Sequence, residues 1–212
     1  TDFIKAFKTF AIHVIKPVAE GGQGKKLLIV IGGGKLARVF QDAAAAIGGV
    51  DNEDKDWLGI HSTRLNGHLL RTVFKDVADP VVIDEREKLE ELRYPITIAS
   101  GWRPGWSTDY VAIQLAVDFG AGEAVIAGNP AFVYDRDPSA YPDAKPLPAL
   151  SWSEYRKLVP AEWSPGLSAP VDPVAAELGE RAKISAIIIN GKDFTNFGNL
   201  LNGQEFEGSI IE

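Results

Sequence analysis

Glycines, hydroxyl residues and a guanidinium recur where strand-like runs give way to helix-like ones, a combination that holds anions. Gly32-Gly33-Gly34-Lys35 follows Leu27-Leu28-Ile29-Val30-Ile31, and Gly101-Trp102-Arg103-Pro104-Gly105-Trp106-Ser107-Thr108-Asp109 follows Ile96-Thr97-Ile98-Ala99. Glycine lets backbone amides approach a phosphate, and the amides that open a helix present its positive end. Arg38, one turn beyond Gly34, can add a bidentate phosphate contact. Two such cradles in one chain point to phosphoryl transfer between two phosphorylated ligands. A triple glycine is equally at home in a plain strand-to-helix turn with a solvated Lys35. The turn is neither a Walker loop nor a dinucleotide fingerprint, because both glycine patterns are absent.

Asp56 stands at the expected start of a helix, where its carboxylate caps the helix or accepts hydrogen bonds from a sugar; capping is the commoner use. His61 and His68 lie two turns apart on one helical face, but no third ligand is spaced for zinc, so they read as surface or interface histidines. Asp135 and Asp137 form an Asp-x-Asp pair that would suit a divalent ion. Asp before Pro138 is ordinary turn chemistry, however, and the turn is the reading adopted. No protein-built metal site is expected.

The elements that must position these groups alternate between helical and extended patterns, which favours a largely parallel sheet flanked by helices. An amphipathic helix runs from Phe3 to Ile15 and ends near Pro17. Strand Leu27 to Ile31 follows, then helices over Lys35 to Ile47 and Asp56 to Phe74, and strands Val81 to Ile83 and Ile96 to Ala99. Beyond the Trp-rich loop come helix Tyr110 to Phe119, strand Ala124 to Ala127 and a hairpin and loop region over Pro130 to Pro148. Helices Trp152 to Leu158 and Pro173 to Glu180 precede Ile184 to Ile189, read as the last central strand. The Pro-rich stretches read as loops over one domain rather than as linkers, so residues 1–212 are taken as a single domain.

Composition is that of an ordinary globular domain: 212 residues, 45% hydrophobic and 24% charged, enough for one substantial core. A net charge of -7 argues against nucleic acid and anionic membrane as partners, so an anionic ligand must be held by local donors. With no cysteine there is no disulfide, thiolate-metal or thiol-nucleophile chemistry. No apolar run approaches the roughly 18 residues of a membrane span, and Asp2, Lys5 and Lys8 interrupt the opening turns, so a cytoplasmic protein is expected.

Taken in order, these motifs resemble the amino acid kinase superfamily, and within it the archaeal-type uridylate kinases. The residues that carry the resemblance are Gly32 to Arg38, Asp56 with Gly59-Ile60 and Thr63-Arg64-Leu65-Asn66, and Pro104-Gly105 with Ser107-Thr108-Asp109. Tyr134 with Asp137-Pro138 and the segment Pro170-Val171-Asp172-Pro173-Val174-Ala175-Ala176 continue it. Asn190-Gly191-Lys192-Asp193 and Glu207 to Ile211 fit the family's C-terminal strands.

The resemblance implies a three-layer αβα sandwich with a mostly parallel central sheet, whose N-terminal half holds UMP and whose C-terminal half holds ATP. Gly33 would face the UMP phosphate, Asp56 the ribose or base, and Gly101, Trp102, Arg103, Pro104, Gly105, Trp106 and Ser107 the rest of UMP. Gly34 and Arg38 would face the transferring phosphates, with Asn129, Tyr134 and Asp137 on the ATP side. Asp172 matches the carboxylate that orients the cationic groups around the transferred phosphoryl, so Asp172 and Arg38 take the catalytic roles. ATP and Mg2+, UDP formation in pyrimidine nucleotide biosynthesis and a hexamer built as a trimer of dimers belong to the same implication. Carbamate, acetylglutamate or isopentenyl phosphate kinases and a non-catalytic nucleotide-binding or storage protein are the alternatives.

Three departures stand against the family pattern. Its N-terminal strand, with a Gly-Gly-Ser type loop around the ATP phosphates, is expected to be missing, because the chain starts at Thr1 inside the first helix. The usual Thr-Asn-Val-Asp-Gly-Val-Tyr segment reads Gly128-Asn129-Pro130-Ala131-Phe132-Val133-Tyr134, and Trp163 to Ser168 lacks the usual lysine-bearing, Gly-Ser-rich pattern. Trp102 and Trp106 are also unusual, fitting either a base-stacking role or packing. Acceptor recognition is therefore better preserved than ATP recognition.

Overall fold

Runs of branched aliphatic residues set the strands of the computed structural model, which describes residues 2–162 and 169–212. The chain divides into two compact units, the first running to Ala112 and the second taking over at Ile113. In the first, β1 (Leu27–Val30), β2 (Ala78–Ile83) and β3 (Ile96–Ala99) form a parallel sheet in the order β1-β3-β2. Leu27 pairs with Ile96 and Val30 with Ala99, and the middle strand β3, apolar but for Thr97, is buried along its whole length, as a central strand of a parallel sheet should be.

Helices α1 (Asp2–Ile15), α2 (Gly34–Ile47) and α3 (Asn52–Val73) belong to the same unit. Ala11 of α1, Leu70 of α3 and Phe74 close a core with Ala78, Val82, Ile96 and Ile98. Phe7 meets Phe74 edge to face at 6.0 Å, the geometry that the ring quadrupoles favour. The start of α3 corrects the sequence reading. Asp51, not Asp56, is the cap: its carboxylate accepts the Asp54 N–H at 2.8 Å, and Glu53 and Asp54 place negative charge in the first turn. That earlier cap wins because it combines a side-chain acceptor with the helix dipole, leaving Asp56 inside the helix with its carboxylate free for other work.

The boundary between the units falls within α4 (Thr108–Asp118). In the second unit, β4 (Glu123–Gly128) is followed by the short antiparallel pair β5 (Val133–Tyr134) and β6 (Pro146–Leu147), then β7 (Ala149–Leu150), α5 (Trp152–Tyr155) and α6 (Pro173–Ala182). Strand β8 (Ser185–Asn190), helix α7 (Phe194–Leu201) and β9 (Ser209–Ile211) complete it. The sheet order is β4-β8-β9-β7, parallel except between β8 and β9. The expected mostly parallel α/β arrangement is present, laid out as a three-stranded and a four-stranded sheet among the described residues. The run from Ile184 forms β8, and β9 falls in the Glu207 to Ile211 segment that the resemblance gave to the C-terminal strands, but Asn190 to Asp193 ends β8 and turns into α7, which was not anticipated. Its Thr, Asn and Gly are weak helix formers, and the helix rests instead on Asp193, which caps Asn196, and on the Asn196 amide, which bonds both backbone groups of Glu207 at 2.7 Å.

A buried tyrosine positions the entrance of α6. The Tyr155 hydroxyl accepts the Val171 N–H at 2.7 Å and donates to the Val171 carbonyl at 2.6 Å, fixing the backbone one residue before Asp172. Removing that hydroxyl in Tyr155→Phe leaves both Val171 groups buried and unpaired. A destabilisation of about 1–3 kcal/mol is expected. Thermal unfolding of the variant checks it, and an unchanged midpoint would mean that Val171 finds other partners.

Candidate active site

At the carboxyl end of β1 the Ile31 N–H still reaches the Ala99 carbonyl, at 3.0 Å, and the glycine turn begins. Asn66 of α3 donates through its amide nitrogen to the carbonyls of Gly32, at 2.9 Å, and Gly33, at 3.1 Å. The Gly33 carbonyl also accepts the Ala37 N–H of α2 at 3.2 Å, while the amides that open α2 have no acceptor inside the helix, the arrangement that suits an anion. Gly33 is required by close approach: a Cβ there would lie 2.6 Å from the Ala37 Cβ and 3.2 Å from the Gly59 carbonyl. Gly34 has φ +59° and opens onto free space. Arg38 is exposed, one turn along, with no hydrogen bond or ion pair among the described residues.

Side chains of α3 also tie down the loop that follows β3. Thr63 accepts the Gly101 N–H at 2.7 Å through the same hydroxyl that donates to the Ile60 carbonyl. Arg64 donates to the carbonyls of Asp84, at 3.1 Å, and Trp102, at 3.2 Å. Asp84 pairs with Lys88 and lies 4.0 Å from Arg64; burial raises its pKa, but the two cations outweigh that and hold it below the ordinary carboxylate range. Asp56 accepts the Gly105 N–H at 2.8 Å, where the chain turns through φ +81°. Burial pushes the Asp56 carboxyl above its ordinary value, a shift that the Gly105 bond only partly opposes. Ser107 then caps α4, accepting the N–H groups of Asp109 and Tyr110.

The aromatic residues of this loop divide into two roles. The Arg103 guanidinium lies 3.7 Å from the centre of the Trp106 ring, and the Tyr110 ring is centred 4.5 Å from it at 30°. Two groups so close cannot share one face of an indole, so both faces of Trp106 are covered and it packs within the loop rather than offering a stacking platform. Trp102, 5% exposed, lies beneath, 6.1 Å from Trp106.

Four of the proposed residues lie in the second unit. Asp172, 5% exposed, caps α6 through one carboxylate oxygen that accepts the N–H groups of Val174, at 2.8 Å, and Ala175, at 3.1 Å. Asn129 directly follows β4, and Tyr134 pairs with Pro146 in the β5–β6 hairpin. Ser209 anchors that hairpin, accepting the Val133 N–H at 2.9 Å and donating to the Leu147 carbonyl at 2.6 Å. Asp137 forms the expected turn with Ser139, whose hydroxyl and N–H hold its carboxyl below the usual range. Among the described residues no group of three His, Cys, Asp or Glu could hold a metal, and His61 and His68 are exposed on α3. The Trp163 to Ser168 loop lies outside the described residues.

Residues 11–190 match the family model for the amino acid kinase family. The chain belongs to the amino acid kinase family. Among similar members, the uridylate kinase of Staphylothermus marinus is 35% identical over 188 residues, 88% of this chain and 84% of that protein. The uridylate kinase of Thermococcus kodakarensis is 34% identical over 214 residues, covering 100% and 91% of the two chains. The crystal structure of uridylate kinase from Archaeoglobus fulgidus superposes with a TM-score of 0.79 at 29% identity, covering 99% of this chain and 90% of that one.

For this amino acid kinase family chain the raised pKa of Asp56 has a definite sign. A folded-state value above the unfolded one means that the folded protein binds the proton more tightly. Stability therefore falls as pH rises from about 3.8 through the raised value, and ionised Asp56 costs stability at neutral pH. Asp56→Asn keeps an oxygen for Gly105 and removes the charge. Its unfolding midpoint is expected to match or exceed that of the wild type at pH 7, with the gap closing under acid; a midpoint well below wild type at pH 7 would contradict this.

Proposed function

We propose that this member of the amino acid kinase family is a uridylate kinase, transferring the γ-phosphoryl group of ATP to UMP. The observation that carries the reading is the gathering around α3 of a glycine-turn anion cradle, an uncommitted Arg38, the Asp56 carboxylate and the 101–107 loop. The name that the curated relatives share supports it. In this reading Gly33 and the α2 amides hold the acceptor phosphate, Gly34 and Arg38 meet the transferring group, and Asp56 and residues 101–107 hold the rest of UMP. Asp56 keeps one carboxylate oxygen beyond its bond to Gly105 for a ribose or base group. The second unit, with Asn129, Tyr134, Asp137 and Asp172, receives ATP, and the two units act as halves of one kinase domain.

The chemistry needs no protein nucleophile. An oxygen of the UMP phosphate attacks the γ-phosphorus in line, the bond to the β–γ bridging oxygen breaks, and UDP and ADP result. The protein supplies position and charge: helix amides and Arg38 stabilise negative charge on the transferred group. Magnesium, when bound, neutralises phosphate charge. In this reading the cation would be carried by the nucleotide phosphates, and Asp172 is the carboxylate that would orient the cationic groups around the transferred phosphoryl. A place in pyrimidine nucleotide biosynthesis, a cytoplasmic setting and a hexamer of three dimers complete the reading.

The test is a phosphoryl-acceptor screen of the chain with Mg-ATP against UMP, CMP, dUMP and carbamate. UDP formation in clear preference supports the proposal; nucleotide binding without transfer to any acceptor favours the non-catalytic alternative. Two variants test the roles. Arg38→Lys keeps the charge but loses the planar fork, so kcat is expected to fall about tenfold or more while UMP affinity changes little. Unchanged turnover would remove Arg38 from the mechanism. Asp172→Asn caps α6 about as well as Asp, so the unfolding midpoint should hold while kcat drops by roughly a hundredfold or more. Near wild-type turnover at a normal midpoint would reduce Asp172 to a cap.

A further inference from the structure

The 101–107 loop buries a donor that its own packing leaves unused. Trp102 is 5% exposed, and its indole N–H is shut away without a hydrogen-bond partner. Trp152, also buried, behaves in the ordinary way and gives its N–H to the Ile184 carbonyl at 3.0 Å. A phenylalanine would fill much of the space of Trp102 without an unpaired donor, so packing does not account for the indole nitrogen. Two backbone groups beside it are committed elsewhere: the Gly101 N–H donates to Thr63, and the Trp102 carbonyl accepts from Arg64. Two further polar atoms at the same junction lack hydrogen-bond partners, the hydroxyl of fully buried Ser100 and the Nε of Arg64. Of the three, only the indole nitrogen is a donor that neither accepts nor faces a carboxylate, since the Ser100 hydroxyl also accepts and Asp84 lies 4.0 Å from the Arg64 Nε.

We propose that the Trp102 indole N–H is a specificity element for the acceptor base, donating to a ring carbonyl oxygen of a uracil-type base. The inference rests on the uridylate kinase reading and names which atom of that site selects the base. An indole nitrogen donates and never accepts, so it complements a carbonyl and opposes an exocyclic amino group. That is the difference between the O4 edge of uracil and the N4 edge of cytosine. The N–H is closed to solvent as the loop stands, and the base reaches it through a local shift of the loop of the kind common on binding. Arg64 and Thr63 hold the loop backbone while this happens.

The decisive variant is Trp102→Phe in the full chain, with kcat/KM measured for UMP and for CMP under Mg-ATP and unfolding midpoints recorded with and without UMP. The ratio of kcat/KM for UMP to that for CMP is expected to drop about tenfold or more, because a site built to bond one base edge discriminates through that bond. Because an unpaired buried donor has been removed, the midpoint of the free protein should stay level or rise, while the upward shift produced by UMP shrinks. A merely structural tryptophan would do the reverse, lowering the free midpoint and leaving the ratio unchanged, and that result overturns the inference. Should the variant fail to fold, wild-type protein with 4-thio-UMP decides: sulfur is a weak acceptor, so kcat/KM should fall several-fold against UMP, and parity would overturn the proposal. A wild type that leaves UMP unphosphorylated sinks the uridylate kinase reading and this inference with it, whereas UMP phosphorylation with an unchanged ratio sinks the inference alone.

Discussion

Strands that end inside a protein leave backbone groups that must be bonded to something, and in the first unit α3 supplies the partners. Asn66 takes the carbonyls after β1, while Thr63, Arg64 and Asp56 take backbone groups of the loop after β3. One helix thereby fixes both candidate ligand loops against the same reference. The Gly33 carbonyl serves both helices, accepting the Asn66 amide of α3 and the Ala37 N–H of α2, so the turn after β1 is held between them.

The second unit solves the same problem with single polar side chains that each serve two backbone groups. Tyr155 bonds both the N–H and the carbonyl of Val171, Asn196 does so for Glu207, and Ser209 bridges β5 and β6. Each is a short clasp on a segment with little regular structure. The clasp on Val171 sits directly before Asp172 and sets where the α6 cap begins. Asp172 satisfies two helix amides with one oxygen, so the fold itself orients its carboxylate.

Much of this was readable from residue order. The strands Leu27 to Val30, Ile96 to Ala99 and Ser185 to Asn190 are apolar runs bounded by glycine or polar residues, and the turn after β1 declares itself through three glycines. The cap at Asp172 was legible because Pro173 follows it directly. Asp56 was misplaced because an aspartate early in a helix looks like a cap from sequence, and only the bond from Asp54 to Asp51 shows that the helix starts earlier. The work of Asn66 and Arg64 was hidden for a different reason: their partners lie more than 30 residues away for Gly32 and Trp102, and no local pattern encodes such pairings. Helix α7 was illegible because its stability comes from a cap and a clasp rather than from helix-forming residues.

Trp106, held between Arg103 and Tyr110, has a consequence for how the loop can be watched. An indole gripped on both faces by groups from the loop and from the first turns of α4 senses any separation of the two. Once the other four tryptophans are replaced, the emission of this residue is an intrinsic optical gauge of whether the loop is seated on its helix. The loop thus carries its own chromophore at its junction with α4, so a movement of the two apart would be read without attaching a label.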